Sequence, residues 1–322
     1  MSRFVQLHLL TSYPPANLNR DDLGRPKTAM MGGEPRLRVS SQSLKRAWRT
    51  SEVFEDSLKG HIGVRTKEMG IEIFKQLKEK GVAKKDAIDW SKAIAAQFGK
   101  LKAANKDNEM QELEIEQLAH FSPEEQQAIQ ALITQLAERK TKPEVEELEL
   151  LRKTHTAADI ALFGRMLAAK PIYNTEAAAQ VAHAISVHSV VVEDDFFTAV
   201  DDLNKGEDDA GASHLGETEF AAGLFYLYLC IDKALLIKNL SGDESLANKT
   251  LAALIESATT VSPSGKQNSF ASRARTSYLL CETGNQQPRS LSVAFLKPIS
   301  KGNMLLDAKK RLDKTLYNMD EV

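Results

Sequence analysis

The chain has 322 residues, 42% of them apolar and 27% charged, with a formal net charge of -2. Such a composition can bury a large core, and the length allows two domains or one domain with a long insertion. No window approaches a membrane span, and the short alternating run after Arg3 lacks the pattern of a signal or transit peptide, so a cytoplasmic protein with no membrane partner is expected.

Residues 4–10 alternate with period two, placing Val5, Leu7 and Leu9 on one face and Phe4, Gln6 and His8 on the other. The pattern predicts a sheet strand whose second face meets a ligand or solvent. A lone strand histidine such as His8 is structural more often than catalytic.

Between Arg20 and Arg49 stand eight basic residues against three acids, in a chain that is nearly neutral overall. The spacing of Leu44, Ala47 and Trp48 predicts a helix, and either Ser40 or Ser41 suits its N-cap. Unpaired amides at its start, with Lys45, Arg46 and Arg49 on the first turns, suit a phosphate or a phosphodiester chain. A basic run is often only a solvated face. Here three glycines, two prolines and several hydroxyl and amide side chains interleave the charges, which favours a loop that tracks a backbone and leads into a helix.

From about Arg65 to Leu151 the periodicity is helical, with Met69, Ile73 and Leu77, then Ile88, Ile94 and Phe98, then Ile129, Leu132, Ile133 and Leu136. Residues 107–149 hold twelve acids against three bases, so this insertion is expected to face away from a phosphate chain. A helix over Glu176–Ala184 and strand character from Ile185 to Val192 follow. His183 and His188 are five apart and share no face of a helix or strand, so no metal site is expected there.

Residues 193–223 carry eight acids by Asp209, four glycines, and the pair Phe196 and Phe197, and read as a protruding hairpin. A divalent-metal nuclease site is one reading of the acids. A solvated excursion is the better one, because Asp194, Asp195, Asp201 and Asp202 lack calcium-loop spacing and have no histidine partner. Two adjacent aromatics cannot both face one core from an extended strand, so one is expected to stack on a base or wedge between bases, with simple partial exposure as the plainer alternative.

Leu224–Ile231 and Thr276–Cys281 read as strands, Ser292–Leu296 as an extension of the latter, Glu244–Thr260 and Leu305–Leu316 as helices, and Cys230 and Cys281 as reduced, buried thiols. The order fits a ferredoxin-like βαββαβ domain with insertions. Residues 263–268, with Lys266 and Gln267, form a second and weaker candidate phosphate loop, followed by Arg273 and Arg275.

Four segments occur in this order: Leu18–Asp22, Val39–Ala47 with its Ser-Ser-Gln-Ser-Leu-Lys-Arg block, Phe197–Leu203 and Ser213–Gly216. Together they resemble the CasC family, the repeated crRNA-binding backbone subunit of the type I-E CRISPR Cascade complex in the RAMP superfamily. The resemblance implies an α+β fold: a ferredoxin-like, RNA-recognition-motif-like palm over 1–64 and 152–322, a helical fingers insertion over 65–151 and a thumb β-hairpin over 193–223. It further implies that Asn19, Arg20, Lys27, Ser40, Gln42, Lys45, Arg46 and Arg49 hold the RNA backbone. Met166 and Phe197 would pack at a displaced base with Phe196 and Thr198 beside them, and Lys266 and Gln267 fit less closely. The implied partners are crRNA, target DNA through the guide, other copies in a helical filament, and the Cascade subunits CasA, CasB, CasD and CasE. No catalytic residue, metal or cofactor is implied. The acidic insertion and the region after Lys297 depart from the family pattern.

The rival reading is a RAMP-type endoribonuclease that uses Asp201 or Asp202 with a divalent ion, or His8 as a general base. A third is a helical adaptor that merely bears a basic patch.

Overall fold

The computed structural model describes residues 2–199, 214–300 and 302–321, which form two compact units. One comprises Met1–Phe54, Gln180–Cys230 and Ala253–Val322; the other comprises Glu55–Ala179 and Ile231–Ala252.

The first unit opens with β1 (Phe4–Ala16), β2 (Thr28–Met31), β3 (Glu34–Val39) and helix α1 (Ser41–Arg49). β1 pairs antiparallel with the strand Thr276–Gly284, from Phe4 opposite Gly284 to Leu10 opposite Tyr278. The sheet then runs from β1 to the long strand His214–Asp232, to Ala184–Ser186, to β3 and to β2. The first and last strands are therefore neighbours, and the long strand separates β1 from Ala184–Ser186, the interleaving of a split β-α-β arrangement. The fold is mixed α+β with an antiparallel sheet, as expected.

Alternation along the long strand sends side chains to two cores. On one face Phe225 and Leu227 line a small cavity together with Leu44 and Trp48 of α1 and Ala258. On the other, Leu10, Leu224 and Tyr226 pack with Leu291, Phe295 and Ile299 and with Ala308 and Leu312 of the helix Met304–Asp320.

This C-terminal cover corrects the reading of β1. Gln6 and His8 are buried and face neither ligand nor solvent. Gln6 accepts from the Tyr228 hydroxyl at 2.6 Å and the Arg289 amide at 2.8 Å. His8 is bonded at both ring nitrogens, to the Tyr226 hydroxyl and to Glu282, each at 2.8 Å.

Three further expectations are corrected. Glu176–Ala184 contains no helix; it holds the strand Ala179–Val181, and Ala182 donates its amide to Tyr228 in the long strand, so sheet pairing overrides the helical propensity of its alanines. Ser292–Phe295 is a single 3-10 turn and not a strand. Cys281 is exposed, because the last strand alternates strictly and places the odd-numbered positions outward.

Gly32 and Gly33 make the turn between β2 and β3 at φ +63° and +82°. A Cβ on Gly32 would lie 1.7 Å from the carbonyl oxygen of Leu296, so the turn is seated on the C-terminal segment. Arg36, within the basic stretch, is fully buried and donates to the carbonyls of Ser186, Phe295 and Leu296. It is a structural cation.

The second unit packs the helices Met69–Glu79, Lys84–Ala95 and Pro123–Arg139 around Ile73, Trp90, Ile94, Phe121 and Ile133. Ser122 and Glu125 close a capping box, and Lys140, left-handed at φ +56°, ends the helix at the basic break. Arg165 is buried in an ion pair with Glu125 at 2.6 Å and donates to the carbonyls of His120, Arg152 and Tyr173.

Candidate nucleic-acid interface

α1 begins because three acceptors converge on its first amides. Ser40, buried and extended, is the N-cap and accepts from the Ser43 amide; Asn19 Oδ1 accepts from the Ser40 amide at 2.9 Å. The Ser41 amide donates to His183 Nδ1 at 3.0 Å, which fixes the proton on Nε2. The helix start is thus largely satisfied by its own chain, contrary to the expectation of several unpaired amides, and only the Gln42 amide is engaged by none of these caps.

The loop before it is equally constrained. Lys27 donates its amide to Asn19, Arg38 donates to Lys27, and Asp21 Oδ1 accepts from the amides of Leu23 and Arg25. Buried Asn17 spans two elements, donating to the carbonyls of Gly24 and Glu219, each at 2.9 Å. Arg20 is exposed and Lys27 half-buried. Along α1, Gln42 and Arg46 are exposed and Lys45 and Arg49 half-buried. Arg46 and Arg49 occupy the last turn, not the first, where a cation complements the helix dipole. Burial lowers the pKa of the Lys45 ammonium.

The second loop joins this site. A Cβ on Gly265 would lie 2.2 Å from the Leu18 carbonyl oxygen, so the 263–268 loop rests on the backbone of the first. Lys266 Nζ donates to Thr218 Oγ1 at 2.7 Å, next to an Arg25–Glu219 pair at 3.0 Å, and Gln267 donates to the Pro263 carbonyl. Lys266 and Ala271 hold positive φ of 46° and 47° on either side of the Gln267–Phe270 turn, while Ser262 both accepts from and donates to Ala274. Two such non-glycine residues cost about 1–3 kcal/mol each, and strain of this kind gathers where geometry is functional.

Between α1 and residues 260–275 runs an open groove of about 490 Å³, lined by Arg46, Arg273 and Arg275 with the hydroxyls of Ser43 and Thr50 and one carboxylate, Glu52. Arg273 and Arg275 stand out in the sequence only as charges; the structure places them on the groove that faces α1. His183 is the residue whose place at the interface sequence reading misses altogether, since its partner Ser41 lies 142 positions away.

The hairpin pairs Glu193–Ala199 with the long strand, and Phe197 stands opposite Gly216. A Cβ on Gly216 would lie 2.2 Å from the Phe197 ring, so the glycine makes room for a phenyl that lies across the neighbouring strand and remains 44% exposed. Phe196, 66% exposed, projects from the other face, and Thr198 follows in the same strand. Asp201 and Asp202 lie outside the described residues. Met166 belongs to the other unit, 76% exposed between buried Arg165 and Leu167.

Residues 5–322 match the model of the family described as CT1975-like protein. That span takes in the acidic insertion and the region after Lys297, the two stretches that by sequence alone depart from the family pattern. Among solved structures the chain is similar to one described as "CRISPR RNA-guided surveillance complex, pre-nicking", with 32% identity and a TM-score of 0.87, covering 99% of this chain and 89% of that one. It is also similar to a "CRISPR RNA-guided surveillance complex" chain, with 27% identity and a TM-score of 0.61, covering 99% and 84%. No curated protein matches the sequence.

Proposed function

Since the chain belongs to the CT1975-like protein family, we propose that it is a non-catalytic backbone subunit of a type I-E Cascade-like surveillance complex, polymerising along crRNA in the cytoplasm. The sheet unit serves as palm, the helical unit as fingers, and the hairpin from Glu193 as thumb, with Phe196, Phe197, Thr198 and Met166 at a displaced base. Copies join head to tail, the heterologous contact that builds open helical filaments, and the guide pairs with target DNA beside CasA, CasB, CasD and CasE.

The observation that carries this reading is the pair of interlocked loops at α1. Asn19, Ser40 and Gly265 fix the backbone, and Lys27, Lys45, Arg46 and Lys266 are presented from it. Contacts of this kind grip phosphates without reading bases, as a subunit serving many guides requires. The fully buried His8, spent on Tyr226 and Glu282, supports the non-catalytic reading over a general base. Purification with the neighbouring gene products, followed by sequencing of the retained nucleic acid, tests it: short RNAs of one length class with a repeat-derived end are expected. Metal-dependent trimming that disappears in Asp201→Ala or Asp202→Ala would favour the endoribonuclease.

A further inference from the structure

A pocket of about 220 Å³, lined by Met31, His183, Ile185, Tyr226, Ser290 and Phe295, lies on the sheet face opposite α1 and reaches the start of that helix only through His183. The two aromatic rings lie 5.3 Å apart at 47°. The Tyr226 hydroxyl is already engaged by His8 and by the Leu291 amide at 3.0 Å, so the pocket receives the apolar ring and not the phenol's polar end. At the rim, His183 has its Nδ1 held by the Ser41 amide, which leaves an Nε2–H donor. Lys27 and Arg38 act on the same imidazole.

These features select an occupant. The volume falls below the roughly 300–1,000 Å³ of drug-sized sites and suits one flat heterocycle. Its walls offer apolar and aromatic contact, and the His183 Nε2–H offers a donor for a polar edge. The imidazole that borders the pocket also caps the helix whose cations attract a polyanion, so the ligand's charged part and its flat apolar part are called for within one side chain of each other. Unstacked nucleotides have this form: phosphate on a basic loop, base against aromatic side chains, edge on a donor.

We propose that this pocket seats one unstacked nucleobase of the RNA whose backbone passes the start of α1, a base position additional to the one assigned to Phe197. The proposal rests on the RNA-backbone reading above. His183 links the two parts, positioning the helix through Nδ1 and meeting the base edge through Nε2.

The test uses the assembled complex carrying guides with 4-thiouridine at each position in turn, irradiated, and the crosslinked peptides mapped by mass spectrometry. Crosslinks at Met31, His183 or Tyr226 are expected, and Ser290→Phe, which blocks the rim, should lower their yield about fivefold or more, as loss of one stacked base requires. The crosslink map of the native protein does not depend on that variant's folding. RNA retained with no crosslink at the pocket overturns the base seat and leaves the backbone role standing; failure to retain RNA at all overturns both. Benzoylphenylalanine in place of Met31 that joins a second protein copy in preference to RNA would overturn the proposal in favour of an apolar side chain.

Discussion

Arg165 in the helical unit and Arg46 on α1 carry the same guanidinium in opposite surroundings. Arg165 is buried against the Glu125 carboxylate and three carbonyls of its own chain; Arg46 is exposed at a groove shared with Arg273 and Arg275. The first arrangement satisfies the charge internally and ties distant segments together. The second gathers like charges, which repel one another until an anion arrives. A cation's use is therefore legible in what already answers it. Arg165 should carry stability and no binding, and the α1 groove binding and little stability.

The largest expected effect breaks the buried side of that contrast. Arg165→Met should lower stability by about 3–5 kcal/mol, because it leaves the Glu125 carboxylate buried and unpaired, and urea unfolding measures it. A loss within experimental error would mean that Glu125 takes up a proton or finds water at little cost. Next comes the hairpin. Phe197→Ala should weaken RNA binding by about 1–3 kcal/mol with the urea midpoint unchanged. Gly216→Ala keeps the phenyl but drives a methyl into its present place; if that variant binds RNA as the native protein does, the position of the ring over the strand is irrelevant and only its presence matters.

Local pattern accounts for much of the fold. Helix Glu244–Thr260 has the ends that periodicity predicts, and Ser40 and Lys45 sit on one short helix as the capping motif requires. What stays illegible depends on pairing across long sequence separations. Arg36 and Arg38 are indistinguishable as letters, yet Arg36 is a buried strut because Phe295 and Leu296 arrive some 260 residues later. His183 reaches the start of α1 through a bond from the Ser41 amide, and Gln6 and His8 are buried by a C-terminal segment that no property of β1 announces. The alanines of residues 176–184 favour a helix locally, and only the waiting edge of the long strand overrules them.

The groove itself is sharpened by salt. Arg46→Ala combined with Arg273→Ala should flatten the slope of log affinity against log salt by about 0.7 for each phosphate that the two arginines neutralise on single-stranded RNA. The loss of affinity should be equal for guides of different sequence, since phosphates carry no base identity. Filter binding at several salt concentrations checks both. An unequal loss would move these arginines from backbone to base recognition, and a raised urea midpoint in the same double variant would mean that their mutual repulsion is a cost carried in the free protein.

The smallest effect concerns protons and touches both regions. His8 and His155 are pushed below the ordinary histidine range chiefly by burial, with Glu282 partly opposing the shift at His8 and Arg165 adding to it at His155. His183 moves the same way, first by desolvation and then through Arg38 and Lys27. In each case the folded state binds fewer protons than the unfolded chain, so the stability contribution is complete above about pH 6.5 and is lost as pH falls through the lowered folded-state values. The urea midpoint should therefore drop between neutral and mildly acidic buffer. His183→Asn, which keeps an acceptor near the Ser41 amide but cannot titrate, should remove only a small part of that drop, because the ring it replaces is exposed and screened. If it removes most of the drop, the α1 cap and not the buried pair of histidines sets the protein's acid sensitivity, and the division between a stabilising interior and a binding surface would have to be redrawn at that residue.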